Sequence, residues 1–294
     1  MSADLPGLIY VMGTARSGTT ILEILLGNCP GVINVGELTH IFAHGFVADA
    51  ECACDRKTSA CEFWSRVRGL CGWSDADVRR LAAVTHAVDW HTGLPATLLG
   101  LRRSAEWSDY RNAQVKLLSA VASVGGASVI ADSSVYTARA LALRRIFGSK
   151  VRVICMTREP AGLLRSFRKQ HTAEQLPKTR RQVLAYYFLV LVAVRLASWR
   201  LGSALLRVRF EDLHEDPDGT LARIARFAAV DLSVARRKVR DGEPLTPGHI
   251  VTGNRVRREK RIVFRREAMP EVSGWRDRLT VGLMRAWRFL LGFA

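Results

Sequence analysis

A glycine-framed loop near the N-terminus has the residue types that bind phosphate. Gly13 and Gly18 stand five positions apart, between the apolar run Leu8 to Met12 and a segment with helical spacing. In such a loop, backbone N–H groups and the start of the helix surround an anion. A nucleoside-triphosphate loop would have lysine directly after the second glycine, but Thr19 stands there and the cation is Arg16. The loop favours phosphate binding over triphosphate hydrolysis, with a glycine-rich turn that binds nothing as the alternative.

Two further basic elements follow predicted strands. Arg158 comes directly after the apolar run 151–156, and Ser166 lies on the helix that follows. Residues just past the carboxyl ends of parallel strands share one crevice, where a guanidinium can bind two phosphate oxygens. The alternative is a surface arginine at a helix start. A basic cluster over 253–258 follows His249, and the three elements together imply a ligand with more than one phosphate group.

Apolar runs alternate with segments of helical spacing along the chain. The predicted strands cover 8–12, 32–35, 128–131, 151–156 and 205–210, and the predicted helices cover 19–27, 138–147, 160 onward, 179–201 and 218–228. This alternation predicts an α/β fold with a central parallel sheet flanked by helices. We predict one domain over residues 1–294, with a strand–loop–helix unit of the phosphate-loop type at the N-terminus. The largely helical stretch 38–127 is predicted to be an insertion that caps the sheet.

The composition excludes several classes of protein. The 294 residues are 48% hydrophobic and 24% charged, which excludes disordered, collagen-like and coiled-coil chains. Lys and Arg number 44 against 27 Asp and Glu, a formal charge of +17 that should attract nucleic acid, an anionic membrane or a phosphorylated small molecule. The longest uncharged apolar run, 183–194, is shorter than the ~20 residues of a membrane span. We therefore expect a soluble protein in a reducing compartment.

Five motifs in order resemble those of sulfotransferases that use 3′-phosphoadenosine-5′-phosphosulfate (PAPS). They are Gly13-Thr-Ala-Arg-Ser-Gly-Thr-Thr20, Asp132-Ser133-Ser134, Arg158-Glu-Pro-x5-Ser166, Arg209-Phe-Glu-Asp-Leu213 and Gly253-Asn-x-x-Arg257. The resemblance covers roughly 8–275 and is strongest to the bacterial branch with arginine in the first loop. Val135 stands where the family often has lysine, Phe210 where it often has tyrosine, and Glu159 where it usually has aspartate.

The resemblance implies a role for each of these elements. The first loop would hold the 5′-phosphosulfate, Arg158 and Ser166 the 3′-phosphate, and the late loop would close over the same nucleotide. The residues implied in donor binding are Arg16, Ser17, Gly18, Thr19, Thr20, Arg158, Ser166, Asn254 and Arg257. Charge builds up on the bridging oxygen of the departing nucleotide, and Arg16 is the candidate cation that stabilises it.

The resemblance also places a general base shortly after the first helix, where Glu37 stands. An ionised Glu37 could accept the proton of the acceptor hydroxyl. The alternatives are that Glu37 is an ordinary strand-end carboxylate paired with arginine, or that His40 is the base. The implied donor is PAPS, the product is 3′-phosphoadenosine-5′-phosphate (PAP), and no metal is required because the loop lacks magnesium ligands. The acceptor would be a hydroxyl of a small molecule, glycan or lipid, bound by 38–127 and the segment after His171.

Two other functions are compatible with parts of the sequence. A basic protein that binds nucleotide or nucleic acid without chemistry would explain the charge but not the ordered motifs, so we predict no nucleic-acid partner. A kinase of the phosphate-loop class is disfavoured by Thr19 in place of lysine. The first predicted strand begins by residue 8, which leaves no room for the N-terminal anchor of a Golgi relative. A cytoplasmic location is therefore expected.

Two segments lie outside these motifs. Cys52, Cys54 and Cys61 precede Phe-Trp, with Cys71 nearby, and we interpret them as structural thiols. A metal site or a disulfide is the alternative, although the single-residue gap departs from the two-to-four residues of common zinc sites. Residues 279–293 alternate arginine with large apolar side chains. We expect this helix to pack on its own domain, with peripheral membrane contact through 279–294 as the alternative.

Overall fold

Five parallel strands form the centre of the protein in the order β2-β3-β1-β4-β5. The structure is a computed structural model that describes residues 5–101, 104–168, 177–259, 261–265 and 272–293. The strands are β1 (Gly7–Gly13), β2 (Val32–Asn34), β3 (Val129–Val135), β4 (Val151–Thr157) and β5 (Leu205–Arg209). The predicted α/β fold with a parallel sheet is confirmed.

Helices connect the strands and cover both faces of the sheet. They are α1 (Thr19–Gly27), α2 (Glu62–Cys71), α3 (Asp75–Asp89), α4 (Leu94–Leu99), α5 (Ser104–Gly125), α6 (Thr137–Phe147), α7 (Pro160–Arg168), α8 (Arg180–Leu201), α9 (Phe210–Glu215), α10 (Pro217–Ala228), α11 (Ser233–Asp241) and α12 (Trp275–Leu290). The stretch between β2 and β3 begins with short 3-10 and π-helical turns, Leu38–His40 and Ile41–Val47, and continues with α2 to α5. The sequence did not predict α2, α9 or α11.

The side chains of β1 alternate between two hydrophobic cores. Leu8, Tyr10 and Met12 face the core that includes α5, α6 and α8. Ile9 and Val11 face the core that includes α1, α10 and α11. All five residues are buried, as expected for the central strand of a parallel sheet with helices on both faces. This double burial fixes the place of the loop that leaves β1 at Gly13.

Helix α8 is long and rich in apolar residues. By length and composition alone the stretch Arg180–Ala204 is long enough to cross a membrane, and its most apolar 18-residue window has a mean hydropathy of 1.5 and is 39% buried within the domain. One side, which includes Val183, Tyr187 and Val194, packs into the core beside α6 and α12. Helices in protein cores can be equally long and apolar, and α8 is one of the helices that cover the sheet.

The C-terminal helix α12 packs one face against α7 and α8. Asp277 in α12 forms ion pairs with Arg168 and Arg180, and Arg285 pairs with Glu159 at 2.6 Å. The opposite face exposes large apolar side chains, namely Trp275, Leu279, Leu283, Phe289 and Leu290. The helix thus packs on its own domain with one face, and membrane contact through the other stays a prediction.

A buried charged cluster joins the segment between β2 and β3 to the sheet. The guanidinium of Arg139 lies 2.9 Å from Asp132 in β3 and 2.8 Å from Asp89 in α3, and none of the three side chains is exposed. Tyr110 in α5 donates a 2.5 Å hydrogen bond to the second oxygen of Asp89. Asp132 and the two serines that follow are fully buried, so this motif positions the backbone of β3 rather than binding a ligand directly.

Candidate functional site

A cavity of about 780 Å³ opens at the carboxyl ends of β1, β4 and β5. The side chains that line it come from the loop after β1, from α1 and α7, from the turn after β5 and from the segment 253–265. Strand β1 has β3 on one side and β4 on the other, so the strand order reverses at β1 and leaves a crevice beside its carboxyl end. Such a crevice is where ligands bind in open α/β sheets, and its volume suits a small-molecule ligand.

Glycines shape the loop between β1 and α1 because nothing larger fits there. A Cβ on Gly13 would lie 2.1 Å from the carbonyl oxygen of Met156 in β4. Gly18 has φ of 83°, and a Cβ there would lie 2.2 Å from the ring of Phe210. Arg16 also has a positive φ, 72°, which turns the loop around the start of α1.

The first anion site, which we define as Arg16 to Thr20, lies at the N-terminus of α1. Arg16, Gly18, Thr19 and Thr20 line the cavity. Within the described part of the chain, α1 has no side-chain cap and no acidic residue in its first turn. The N–H groups at this end of α1 and the positive end of its dipole therefore favour the binding of an anion there.

The second anion site, Arg158 and Ser166, lies in the same cavity. Arg158 Nη1 donates to the carbonyl oxygen of Arg16 at 3.0 Å, so the two sites are in direct contact. The guanidinium also lies over the ring of Phe210, 4.2 Å from its centroid. Glu211 accepts a 2.8 Å hydrogen bond from the N–H of Glu159 and holds the turn after β4 against α9. The predicted convergence of the two sites is therefore present in the structure.

The late loop contributes Asn254 but not the side chain of Arg257. Asn254 lines the cavity, and its N–H donates to Thr20 Oγ1 at 3.3 Å. Arg257 is buried, and its guanidinium donates to the carbonyl oxygens of Glu51 and Ile250 at 3.1 and 3.4 Å. This arginine holds the loop in place, and the structure does not bring it to the cavity wall.

Ser17 and His40 also lie outside the cavity lining. The Ser17 hydroxyl is fully buried and hydrogen-bonded to the hydroxyl of Thr14, and its N–H donates to the Thr14 carbonyl. Ser17 therefore stabilises the loop from within. His40 lies behind Glu37, with its Nε2 at 3.7 Å from Glu37 Oε2.

Glu37 lines the cavity at the end nearest β2 and β3. The peptide before it is held by the buried Glu23 of α1, which accepts hydrogen bonds from the N–H groups of Val35, at 2.9 Å, and Gly36. Ser133 in β3 donates to the other oxygen of Glu23 at 2.5 Å. Burial raises the pKa of Glu23 to about 8, since these hydrogen bonds offset only part of its desolvation. Glu23 thus joins helix α1 to the segment that carries Glu37.

The environment of Glu37 suits proton transfer near neutral pH. Burial, together with the negative charge of Asp132, raises the pKa of Glu37 to about 7, although Arg257 and Arg16 act in the opposite direction. Burial lowers the pKa of His40 to about 4, helped by His44 and Arg139, so His40 is neutral at pH 7. Of the two candidate bases, only Glu37 lines the cavity and titrates near pH 7.

Besides Arg255, which belongs to the basic cluster 253–258, several cavity residues carry no signal that spacing or motif could reveal. Four more arginines line the cavity, namely Arg165, Arg255, Arg261 and Arg265. Together with Arg16 and Arg158 they face two carboxylates, Glu37 and Glu259, so the cavity is strongly cationic. Phe210 and Phe264 add apolar ring surface on the β5 side.

A group of aromatic and imidazole rings packs next to Glu37 without lining the cavity. Tyr136 packs edge-on against His40 at 6.0 Å between centroids and stacks on Trp90 at 5.6 Å. His91 lies 5.1 Å from the same tyrosine ring. Val135, which stands where lysine was expected, has a φ of 61° and lines the cavity. A positive φ is strained for a β-branched residue, and such strain clusters at functional sites.

Comparison with known proteins identifies the family of this chain. A family model described as "Sulfotransferase family" matches residues 6–233. Sulfotransferase STF9 from Mycobacterium avium superposes with a TM-score of 0.50 at 15% identity, over 81% of this chain and 68% of that one. Sulfotransferase STF1 from Mycobacterium tuberculosis H37Rv gives a TM-score of 0.49 at 17% identity, over 80% and 70% of the two chains. Among curated proteins, none matches this chain.

Proposed function

Since the chain belongs to the sulfotransferase family, we propose that it transfers a sulfuryl group from PAPS to a hydroxyl of a small-molecule, glycan or lipid acceptor. One observation carries the proposal: the first and second anion sites line the same cavity and touch each other through Arg158 and Arg16. A ligand with one phosphate needs only one of them. PAPS has a 5′-phosphosulfate and a 3′-phosphate on one ribose, which matches two adjacent anion sites.

The donor would lie across the carboxyl ends of β1, β4 and β5. The N–H groups at the start of α1 and the Arg16 guanidinium would hold the 5′-phosphosulfate, and Arg158 with Ser166 would hold the 3′-phosphate. The rings of Phe210 and Phe264 would give the adenine base an apolar surface. The additional arginines of the cavity would neutralise the remaining charge of the nucleotide.

Sulfuryl transfer would then proceed as one in-line displacement. The acceptor hydroxyl oxygen forms a bond to sulfur while the bond from sulfur to the bridging oxygen of the 5′-phosphate breaks. The electron pair of the broken bond stays on the bridging oxygen, where Arg16 and the α1 N-terminus stabilise the charge. The acceptor proton passes to a carboxylate oxygen of Glu37, and the products are the sulfate ester and PAP.

Glu37 is the proposed base because of its place and its pKa. It lines the same cavity and follows β2, on the other side of the central strand β1 from Arg158, which follows β4. A base works best when its pKa is close to the operating pH, and that of Glu37 is about 7. The aromatic and imidazole rings around Tyr136 would form the apolar part of the acceptor site. Residues 171–176, part of the segment also predicted to bind the acceptor, lie outside the described residues.

The proposal is tested first by ligand-induced stabilisation. PAP should raise the midpoint of thermal unfolding more than AMP or ATP with Mg²⁺, because only PAP occupies both anion sites. At a concentration of 100 times Kd the stabilisation should be about 2.7 kcal/mol. A screen with ³⁵S-labelled PAPS then identifies the acceptor. Stabilisation by ATP that exceeds that by PAP, or equal effects of AMP and PAP, would contradict the donor assignment.

A further inference from the structure

Three cysteines and one histidine outside the catalytic cavity converge on one point. They are Cys52, Cys54, Cys61 and His249, and their potential ligand atoms all lie within 4.8 Å of one another. We call these four residues the Cys/His cluster. His249 is 188 positions beyond Cys61 and lies outside the segment matched by the family model, so neither spacing nor the family connects it to the cysteines.

Three distances among Cys52, Cys61 and His249 are close to the edges of a tetrahedral metal site, and those that involve Cys54 are at most 4.8 Å. Zinc binds cysteine sulfur at ~2.3 Å and histidine nitrogen at ~2.0–2.1 Å, which puts tetrahedral S···S edges at about 3.8 Å and S···N edges at about 3.6 Å. The Sγ atoms of Cys52 and Cys61 are 3.8 Å apart. His249 Nδ1 lies 3.9 Å from Cys52 Sγ and 3.3 Å from Cys61 Sγ. An ion between these atoms would have four potential ligands from the protein.

The local backbone explains why a single-residue gap is compatible with this site. The N–H of Cys52 donates to the carbonyl of Arg56 at 2.8 Å, and the N–H of Asp55 donates back to Cys52 at 3.0 Å. Asp55 has a φ of 60°, so the chain turns tightly right after Cys54 and directs both thiols to the same side. Cys61 is the residue directly before α2 and occupies its N-cap position.

His249 is oriented for coordination by the residues that follow Cys61. Its ring stacks on Phe63 with an interplanar angle of 6° and a centroid separation of 4.8 Å. Trp64 Nε1 donates to the His249 carbonyl at 2.7 Å. These contacts fix the ring with Nδ1 toward the thiols.

We propose that the Cys/His cluster binds one structural Zn²⁺ through three thiolates and the Nδ1 atom of His249. Soft thiolate and imidazole ligands in a tetrahedron select zinc among the common divalent ions. Binding releases the thiol protons and leaves four protein ligands on the ion, so no position is open for catalysis. A disulfide between Cys52 and Cys61 is the competing structure, but it would shorten their separation from 3.8 Å to the ~2.05 Å of an S–S bond.

The ion would hold the late loop against the segment between β2 and β3. Ala53 N–H donates to the Ile250 carbonyl at 2.8 Å, next to His249, and Glu37 N–H donates to the Thr252 carbonyl at 3.3 Å. Two residues later Asn254 reaches the donor cavity. Zinc would thus fix the start of a loop whose end contacts the nucleotide, an effect that rests on the proposed donor site, whereas metal binding itself does not.

The metal content of the purified full-length chain tests the site. We expect about one zinc per chain by elemental mass spectrometry, lost in Cys61→Ser and in His249→Ala and retained in Cys71→Ala, a buried cysteine outside the cluster. Cobalt exchange into the wild-type chain should give the visible bands of tetrahedral thiolate coordination, a readout that needs no variant to fold. A chain that is free of metal and gains no such bands on addition of Zn²⁺ or Co²⁺ under reducing conditions, or a Cys52–Cys61 disulfide in unreduced peptides, would overturn the proposal.

A second measurement separates the effect of the metal from the donor assignment. Removal of zinc by a chelator should weaken PAP binding by about 5- to 150-fold, the usual range of coupling between two linked sites, with PAP affinity restored by added Zn²⁺. If the protein contains zinc but its PAP affinity does not change when the zinc is removed, the proposed role of the metal in the late loop is refuted. Failure of the zinc-loaded chain to bind PAP at all would instead count against the proposed function, since the metal analysis does not depend on PAP.

Discussion

Replacement of Glu37 by glutamine tests the chemical role of this residue because glutamine keeps the shape of the side chain and removes its basicity and its charge. A positioned general base typically contributes 10²–10⁴-fold to the rate, so we expect about that loss in kcat/KM. PAP affinity should be retained, because the substitution removes a negative charge from an otherwise cationic cavity. The assay uses the acceptor found in the labelled-donor screen, and isothermal titration calorimetry measures PAP binding.

The pH profile distinguishes Glu37 from His40. The base must be unprotonated, so activity should rise with pH through the pKa of the responsible group. With a pKa of about 7 for Glu37, kcat/KM of the wild-type chain should increase about tenfold between pH 6 and pH 8 and then level off. If His40, with a pKa of about 4, were the base, the profile would be flat over this range.

Glu37→Gln should therefore lower kcat/KM and abolish its increase between pH 6 and pH 8, whereas His40→Ala should retain this increase. Glu215→Gln removes an exposed carboxylate from α9 and serves as the control that should change neither quantity. Near-wild-type activity in Glu37→Gln, or an unchanged inflection near pH 7 in that variant, would refute the assignment.

Three more predictions concern donor affinity and stability. Arg158→Ala should weaken PAP binding about 10- to 150-fold by calorimetry, the equivalent of the ~1.5–3 kcal/mol of hydrogen bonds to a charged group. Gly18→Ala should destabilise the fold by ~1–3 kcal/mol in urea unfolding and impair PAP binding, since its Cβ would lie 2.2 Å from Phe210 at a φ of 83°. Asp89→Ala should destabilise by ~3–5 kcal/mol, because it leaves the fully buried Arg139 with one of its two carboxylate partners.

Each of these variants has a matched control. Arg226→Ala removes an exposed arginine of α10 and should leave PAP affinity unchanged. Gly72→Ala has a similar positive φ of 57° with no atom within 4 Å, so it should cost only the ~1 kcal/mol of left-handed strain. Asp75→Ala removes an exposed partner of Arg68 and should cost ~0–1 kcal/mol. Equal effects of a test variant and its control would contradict the structural explanation.

The fold could be predicted because its signals are local. The apolar run of β1, the glycines of the following loop and the helical spacing of α1 are all readable within about twenty residues, and α1 begins and ends where the sequence predicts. Helices α2, α9 and α11 were missed because they are short or highly charged and owe their place to tertiary packing. The polar end of β3 was missed for a related reason, since Asp132 and its serines are buried by partners that lie far away in the chain.

The candidate site was predictable only where a motif marks a backbone shape. Gly18 and Arg158 follow strands, and parallel strands bring such residues together. By contrast, Arg165 and Arg265 reach the cavity through packing that no spacing encodes. The role of Arg257 in holding a loop, and the convergence of His249 with distant cysteines, depend on the same kind of long-range contact.

The close approach at Gly36 has a consequence for the order in which substrates bind. A Cβ there would lie 2.7 Å from both Ile250 and the Thr252 carbonyl, and Thr252 Oγ1 donates to the Glu37 carbonyl at 3.0 Å. The segment that carries Glu37 and the segment 250–252, which leads to the proposed nucleotide-binding loop, are therefore packed together and must move together. By thermodynamic reciprocity, a ligand that orders one segment also favours the ordered state of the other, and thus the binding of its ligand. Donor and acceptor should bind synergistically, each tightening the affinity for its counterpart.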